Sequence, residues 1–251
     1  MSSRAVEANT GQLLSAEQLR ACLREVGERR YHHRHPFHLL MHEGKLTKGQ
    51  LQAWALNRYY YQSRIPIKDA IVLSRSDDPN FRRAWRKRVL DHDGENTPEG
   101  GIERWVRLAE ATGLSRERVI SCKEILPGVR YAVDAYLDLV RSRSLLEAVA
   151  SSLTELFSRD LISLRMDALR QHYPWLSGGL DYFEARLTQA PADAKFAFQY
   201  VADHAHTRAE QELVINALRE KCEILWAQLD ALHYAYVQPG WPPPGAFRPE
   251  E

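Results

Sequence analysis

The sequence predicts a single all-α domain, and three observations carry that prediction. Helix-capping boxes recur, apolar residues return at spacings of three and four, and no long run alternates β-branched with polar residues. Ser15 with Gln18 opens the first helix, Thr47 with Gln50 a long one, and Thr207 with Glu210 the last. Asp78 followed by Pro79 starts another, because a first helical turn has no use for the N–H that proline lacks. Proline and glycine punctuate the chain at Pro36, Pro66, Pro98 to Gly101, Pro127 to Gly128, Pro174 to Gly179 and Pro191, leaving room for seven or eight helices. No repeat or long linker divides the 251 residues, so the helical domain is expected over 15–238. Residues 1–14 are expected to be a flexible lead. Residues 239–251, with five prolines and two glycines among thirteen positions, read as a loose tail or a tether to another domain.

Composition bounds the function. Hydrophobic residues make up 44% of the chain, enough for a true core. Lys plus Arg number 34 against 33 Asp plus Glu, a formal charge of +1, so no global field draws the protein to nucleic acid or to a membrane, and an anion site must be local. Cys22, Cys122 and Cys222 are an odd number with no CxxC pair, which argues against a disulfide framework and against a thiolate zinc site. A reducing cytoplasm fits that usage. The first residues have no export-signal core, and no apolar run nears the ~18 residues of a membrane span.

Polar residues interrupt the apolar stripes. After Thr47 one stripe runs Leu51, Ala55, Arg58, Gln62, with Tyr61 beside it; after Pro79 another runs Phe81, Trp85, Arg88, His92. The helix after Pro127 gives Val129, Val133, Tyr136, Val140, and the last gives Val214, Leu218, Lys221, Leu225. Two readings stand: internal salt bridges, or a converging set of cations that needs an anionic ligand, since Asp69 and Glu155 neutralise only part of it. The run Arg82, Arg83, Arg86, Lys87, Arg88 around Trp85 places most of its charges on a solvated helix face rather than on a nucleic-acid patch. Ten histidines raise a metal reading through Asp203 with His206, Asp230 with His233, and the cluster His32, His33, His35, His38. Without an HExxH or paired Glu-x-x-His pattern, none of these is a metal signature, and no metal ligand is assigned.

At these same stripes the chain resembles the pyrroloquinoline quinone synthases. The match is collinear from about residue 31 to residue 236. It runs through Tyr31-His32, His35-Pro36-Phe37-His38, Asn57-Arg58-Tyr59-Tyr60-Tyr61-Gln62 and Ile65-Pro66-Ile67-Lys68-Asp69-Ala70. It continues in Asp91-His92-Asp93-Gly94, Gly101-Ile102-Glu103-Arg104-Trp105, Val133-Asp134-Ala135-Tyr136 and Ser151-Ser152-Leu153-Thr154-Glu155-Leu156-Phe157. His172-Tyr173-Pro174-Trp175, Tyr182-Phe183 with Arg186-Leu187, and Lys221 before Ile224-Leu225-Trp226 complete it.

The resemblance implies a seven-helix haem-oxygenase-like bundle acting as a homodimer. It implies ring closure of a multiply carboxylated quinone precursor, then an eight-electron oxidation by O2 as co-substrate. Hydrogen peroxide is released and pyrroloquinoline quinone is the product, with no metal or organic cofactor required. In some relatives a small peptide-carrier domain follows, and the proline-rich tail is where such a tether would run. The residue types suit that chemistry. Arg58, Arg88 and Arg165, with Lys68 and Lys221, can grip carboxylate and quinone oxygens, and Tyr31, Tyr61, Gln62, Tyr136, Thr154 and Glu155 can add directional hydrogen bonds. His92 first, then His32, are the expected proton acceptors. Tyr182 and Arg186, one helical turn apart, match the pair that stands beside reduced oxygen in the family. One departure is visible: relatives often carry a histidine three residues before the position of Arg165, where this chain has Ile162. Two alternatives follow, a quinone-binding or partial-turnover homologue on the same fold, and a metal-dependent oxidase of that fold.

Overall fold

A computed structural model describes residues 11–249. They form eleven α-helices and three short 3-10 segments, with no strand among the described residues. The helices are α1 Ala16–Arg30, α2 Pro36–His42, α3 Lys48–Ser74, α4 Pro79–Asp93, α5 Gly101–Ala111 and α6 Arg116–Ser121. They continue as α7 Pro127–Ser142, α8 Leu145–Ala150, α9 Ser158–His172, α10 Asp181–His204 and α11 Arg208–Tyr236. The expected count of seven or eight falls short because short helices and 3-10 turns fill the connections. Seven helices of fifteen residues or more, α1, α3, α4, α7, α9, α10 and α11, form the bundle itself.

The helices begin where the capping residues predict. Ser15, Thr47 and Thr207 each close a reciprocal capping box, and Asp78 accepts from the backbone N–H groups of Asn80 and Phe81. Two expected breaks are absent: α3 runs through Pro66 and α10 through Pro191. Proline removes one intrahelical hydrogen bond in each, and burial of the helix on both sides of it holds the axis together.

The core lies where α3 packs on α4, α5 and α7, α11 packs on α1, α7 and α8, and α10 packs on α5, α8 and α9. Between α8 and α9 the chain tightens into a 3-10 segment, Ser151–Leu156, packed against both α10 and α11. That turn carries Ser152, Thr154 and Glu155 into the interior.

The C-terminal end departs from the expected looseness, and the expected flexible lead lies mostly outside the described residues. Residues 1–10 lie outside the described residues, but Leu14 is clamped by Gln211, which accepts from its N–H and donates to its C=O, each at 2.9 Å. The proline-rich segment folds back over the bundle: Phe247 is 1% exposed, its N–H donates to the Glu124 carbonyl at 3.0 Å, and its own carbonyl accepts from Tyr236 Oη at 2.9 Å. A composition that excludes helix does not exclude packing, and the one aromatic ring in its last five residues is what anchors it.

Candidate active site

The polar residues on apolar stripes converge on one interior cavity of about 110 Å³. That is room for several waters, against the ~10–15 Å³ that one requires. Fourteen of the fifteen expected site residues line it: Tyr31, His32, Arg58, Tyr61, Gln62, Lys68, Arg88, His92, Tyr136, Thr154, Glu155, Arg165, Tyr182 and Arg186. The exception is Lys221, which stands one layer back. Its ammonium lies 3.2 Å from the centre of the Tyr136 ring and donates to Tyr61 Oη at 3.0 Å, with the two rings nearly parallel.

The cations divide into two groups. Lys68, Arg88 and Arg186 are ion-paired. Lys68 contacts Asp69; Arg88 lies 3.4 Å from Asp69, 2.7 Å from Glu155 and 3.6 Å from Asp193; Arg186 lies 3.0 Å from Glu155 and 3.3 Å from Asp193. Three cations thus meet three carboxylates. Burial works to raise Asp69, but Lys68 and Arg88 outweigh it and hold the carboxyl below its ordinary range. Burial similarly opposes the Arg88 charge, and Glu155, Asp69 and Asp193 together reverse that, raising its pKa.

Arg58, Arg165 and Lys221 have no carboxylate partner among the described residues. Arg58 donates to the neutral Gln228 amide at 3.3 Å and stacks on Tyr61. Arg165 Nη2 lies 3.1 Å from both ring nitrogens of His38, an equidistance that puts the guanidinium over the ring face rather than in line with either lone pair. Burial pushes its pKa down to about 10, which still leaves a cation at neutral pH. Lys221 falls well below its ordinary value, through burial first and Arg58 next. Uncompensated cations in such a place are costly; an entering anion would relieve Arg58 and Arg165 directly and would counter the burial that favours the neutral amine at Lys221.

The two cavity histidines are held neutral. His92 Nδ1 donates to the Arg88 carbonyl at 3.0 Å, which leaves Nε2 as the ring's lone-pair atom. Burial, then Arg186, lowers its pKa to about 4. Two glycines brace its backbone. Gly94, at φ +89°, ends α4 in a conformation that disfavours side chains, and a Cβ on Gly100 would sit 2.2 Å from the His92 carbonyl oxygen. His32 is also lowered well below its ordinary value, by burial and by Arg58 and Arg165, and its Nδ1 has no hydrogen-bond partner.

Tyr182 donates to Gln62 Oε1 at 3.0 Å and meets the Trp105 ring edge-on. The Tyr182 ring also packs against Phe183, and Ile65, Leu161, Ile162 and Leu225 add further apolar lining to the cavity. Sequence reasoning missed this lining, and it missed Asp193. The stripe Phe183, Arg186, Ala190, Asp193, Ala197 has ordinary helical spacing, but a helix break assigned at Pro191 concealed it.

The Asp-x-x-His pairs do not assemble. Asp203 and His206 are exposed, and Asp230 accepts from His35, whose other ring nitrogen caps α2, instead of meeting His233. Among the described residues no group of three or more His, Cys, Asp or Glu side chains is arranged to hold a metal ion. The basic run on α4 points Arg82, Arg83, Arg86 and Lys87 to solvent and only Arg88 inward. No helix among the described residues is long and apolar enough to cross a membrane.

A helical bundle closed around a cationic, histidine-bearing cavity is a haem-oxygenase-like domain. A domain of that fold from Shewanella denitrificans superposes with a TM-score of 0.70 over 92% of this chain and 96% of that one at 14% identity, and a TenA homologue from Pseudomonas syringae with 0.70 over 89% and 97% at 12%. Such identities speak to the fold alone. Within it, the chain belongs to the TENA/THI-4/PQQC family, which residues 20–231 match. A pyrroloquinoline-quinone synthase of Acidiphilium cryptum is 58% identical over 236 residues, 94% of this chain and 96% of the relative, and one of Xanthomonas campestris is 57% identical over 239 residues. A bifunctional coenzyme PQQ synthesis protein C/D of Methylorubrum extorquens is 55% identical over 240 residues, which are 64% of that longer protein.

Proposed function

We propose that this chain is a pyrroloquinoline-quinone synthase that performs the last ring closure and the O2-dependent oxidation of a multiply carboxylated precursor. The observation that carries the reading is the pairing of a relative's named activity at 58% identity with three basic side chains, the half-buried Arg58 and the buried Arg165 and Lys221, that lack carboxylates of their own. A ligand with several carboxylates supplies the missing charge, and the planar guanidinium forks fit it bidentately.

Bound there, the substrate lies against His92. Its own carboxylates counter the burial and the Arg186 charge that depress the imidazole, so Nε2 becomes a stronger base as the ligand arrives. Removing a proton makes the substrate an electron-rich anion, and that anion is the reductant for O2. The apolar lining residues Trp105, Phe183 and Ile162 suit an apolar gas, and the Tyr182 hydroxyl can turn its single hydrogen from Gln62 Oε1 toward reduced oxygen. Arg186 shares its charge with Glu155 and Asp193, so its contribution to reduced oxygen is a fixed donor more than a free charge. Peptide-carrier and homodimer contacts belong to the same proposal by way of the family.

Purified protein given the precursor in air is expected to consume O2 and to form the quinone chromophore with peroxide. Binding without turnover would reduce the protein to a quinone-binding homologue, the reading that Ile162 in the apolar lining favours.

A further inference from the structure

A second, much smaller cavity of about 10 Å³ shares His32, Arg58 and Arg165 with the main one. Its volume is about that of one water-sized species, so it admits neither a quinone nor its precursor. Much of its wall is apolar, through Trp54, Val129, Leu229 and Leu232. Its amides are occupied: Asn57 donates to the Ala53 carbonyl and accepts from the Leu126 N–H, and Gln228 donates to the Ile224 carbonyl and accepts from Arg58. No carboxylate lines it.

Two guanidiniums without an acidic partner therefore border an acid-free chamber. Two of its lining residues, 7% and 3% exposed, each carry a buried nitrogen without a hydrogen-bond partner, Arg165 Nε and His32 Nδ1. We propose that this chamber binds a small monovalent anion of the halide class between Arg58 and Arg165, with His32 Nδ1–H as a further donor. A water would answer the hydrogen bonds but would leave both charges uncompensated; a halide answers the hydrogen bonds and offsets one of the two charges, leaving the other for the larger ligand's carboxylate. The guanidiniums are the ends of flexible side chains and can yield the small extra space a halide needs over a water. Because the two cavities are distinct, the anion remains when the main cavity is filled, and it fixes both forks in position for the larger ligand.

Bromide supplies the test in the unmodified protein. Crystals soaked in millimolar bromide and measured at the bromine absorption edge are expected to give an anomalous peak in this chamber, within hydrogen-bonding reach of both guanidiniums. Peaks elsewhere with none in the chamber would overturn the proposal. In solution, replacing gluconate by chloride at constant ionic strength is expected to raise the unfolding temperature to a plateau, and Arg165→Gln to abolish that rise. A rise that never saturates, or that persists in the variant, counts against it. Neither readout involves turnover, so the anion site and the quinone-synthase reading fail independently.

Discussion

Two arginines in one cavity should respond oppositely to the same change. Arg165→Met removes a buried cation that no carboxylate partners, so nothing is stranded and the folded state holds or gains stability in halide-free buffer. Arg88→Met removes a cation that lies within 3.6 Å of Asp69, Glu155 and Asp193. Breaking a buried pair costs about 3–5 kcal/mol. Asp69 keeps Lys68, and Glu155 and Asp193 keep Arg186, so the lower end applies, about 3 kcal/mol. In a chain of this length that is a fall of roughly 6–12 °C in Tm. Ligand affinity should reverse the order of stability. Losing Arg165 forfeits a charge-assisted contact of about 1.5–3 kcal/mol, roughly 10- to 150-fold in Kd for pyrroloquinoline quinone. Scanning calorimetry and equilibrium titration of both variants decide the matter. Equal destabilisation by the two substitutions, or unchanged affinity in Arg165→Met, would refute the division into paired and unpaired cations.

Other expectations follow from the same geometry. His92→Asn should leave ligand binding nearly intact and slow the proton-transfer step by roughly 100-fold or more, measured by single-turnover absorbance. Its imidazole titrates near 4 when folded against an ordinary 6.5, so the unfolded chain binds the extra proton between those values. Stability is therefore lost as pH falls from 6.5 toward 4, by about 3 kcal/mol from this residue, and urea titrations across that range should show the loss shrink in His92→Asn. Ile162→His should speed oxygen consumption if the apolar lining limits reduction of O2, and an oxygen electrode reporting no gain would remove Ile162 as the cause of any slow oxidation. Phe247→Ala should cost about 3 kcal/mol or more by emptying the pocket that anchors the C-terminal segment, read as a lowered Tm.

Much of the site was legible before any coordinates, because burial of a polar residue leaves a mark in periodicity. Arg88 and His92 continue the stripe of Phe81 and Trp85, and both are buried in the cavity wall. What periodicity could not tell is which cations are neutralised, since that depends on residues far apart in the chain: Glu155 comes from a 3-10 turn and Asp193 from a helix that was read as broken. Lys221 was on the correct stripe but a layer too deep, a difference that a one-dimensional pattern cannot carry. The C-terminal segment misled for a similar reason. Proline content reports what a segment cannot form, whereas Phe247 determines where it goes.

The ligand's carboxylates replace an acid that Arg58, Arg165 and Lys221 lack. A crystal structure with pyrroloquinoline quinone bound tests it most directly. Carboxylate oxygens should lie on Arg58 and Arg165, the two of these that line the cavity, with the Arg88 and Arg186 pairs to Glu155 and Asp193 intact. Carboxylates seated on Arg88 and Arg186, with Glu155 and Asp193 displaced and Arg165 still bare, would contradict it.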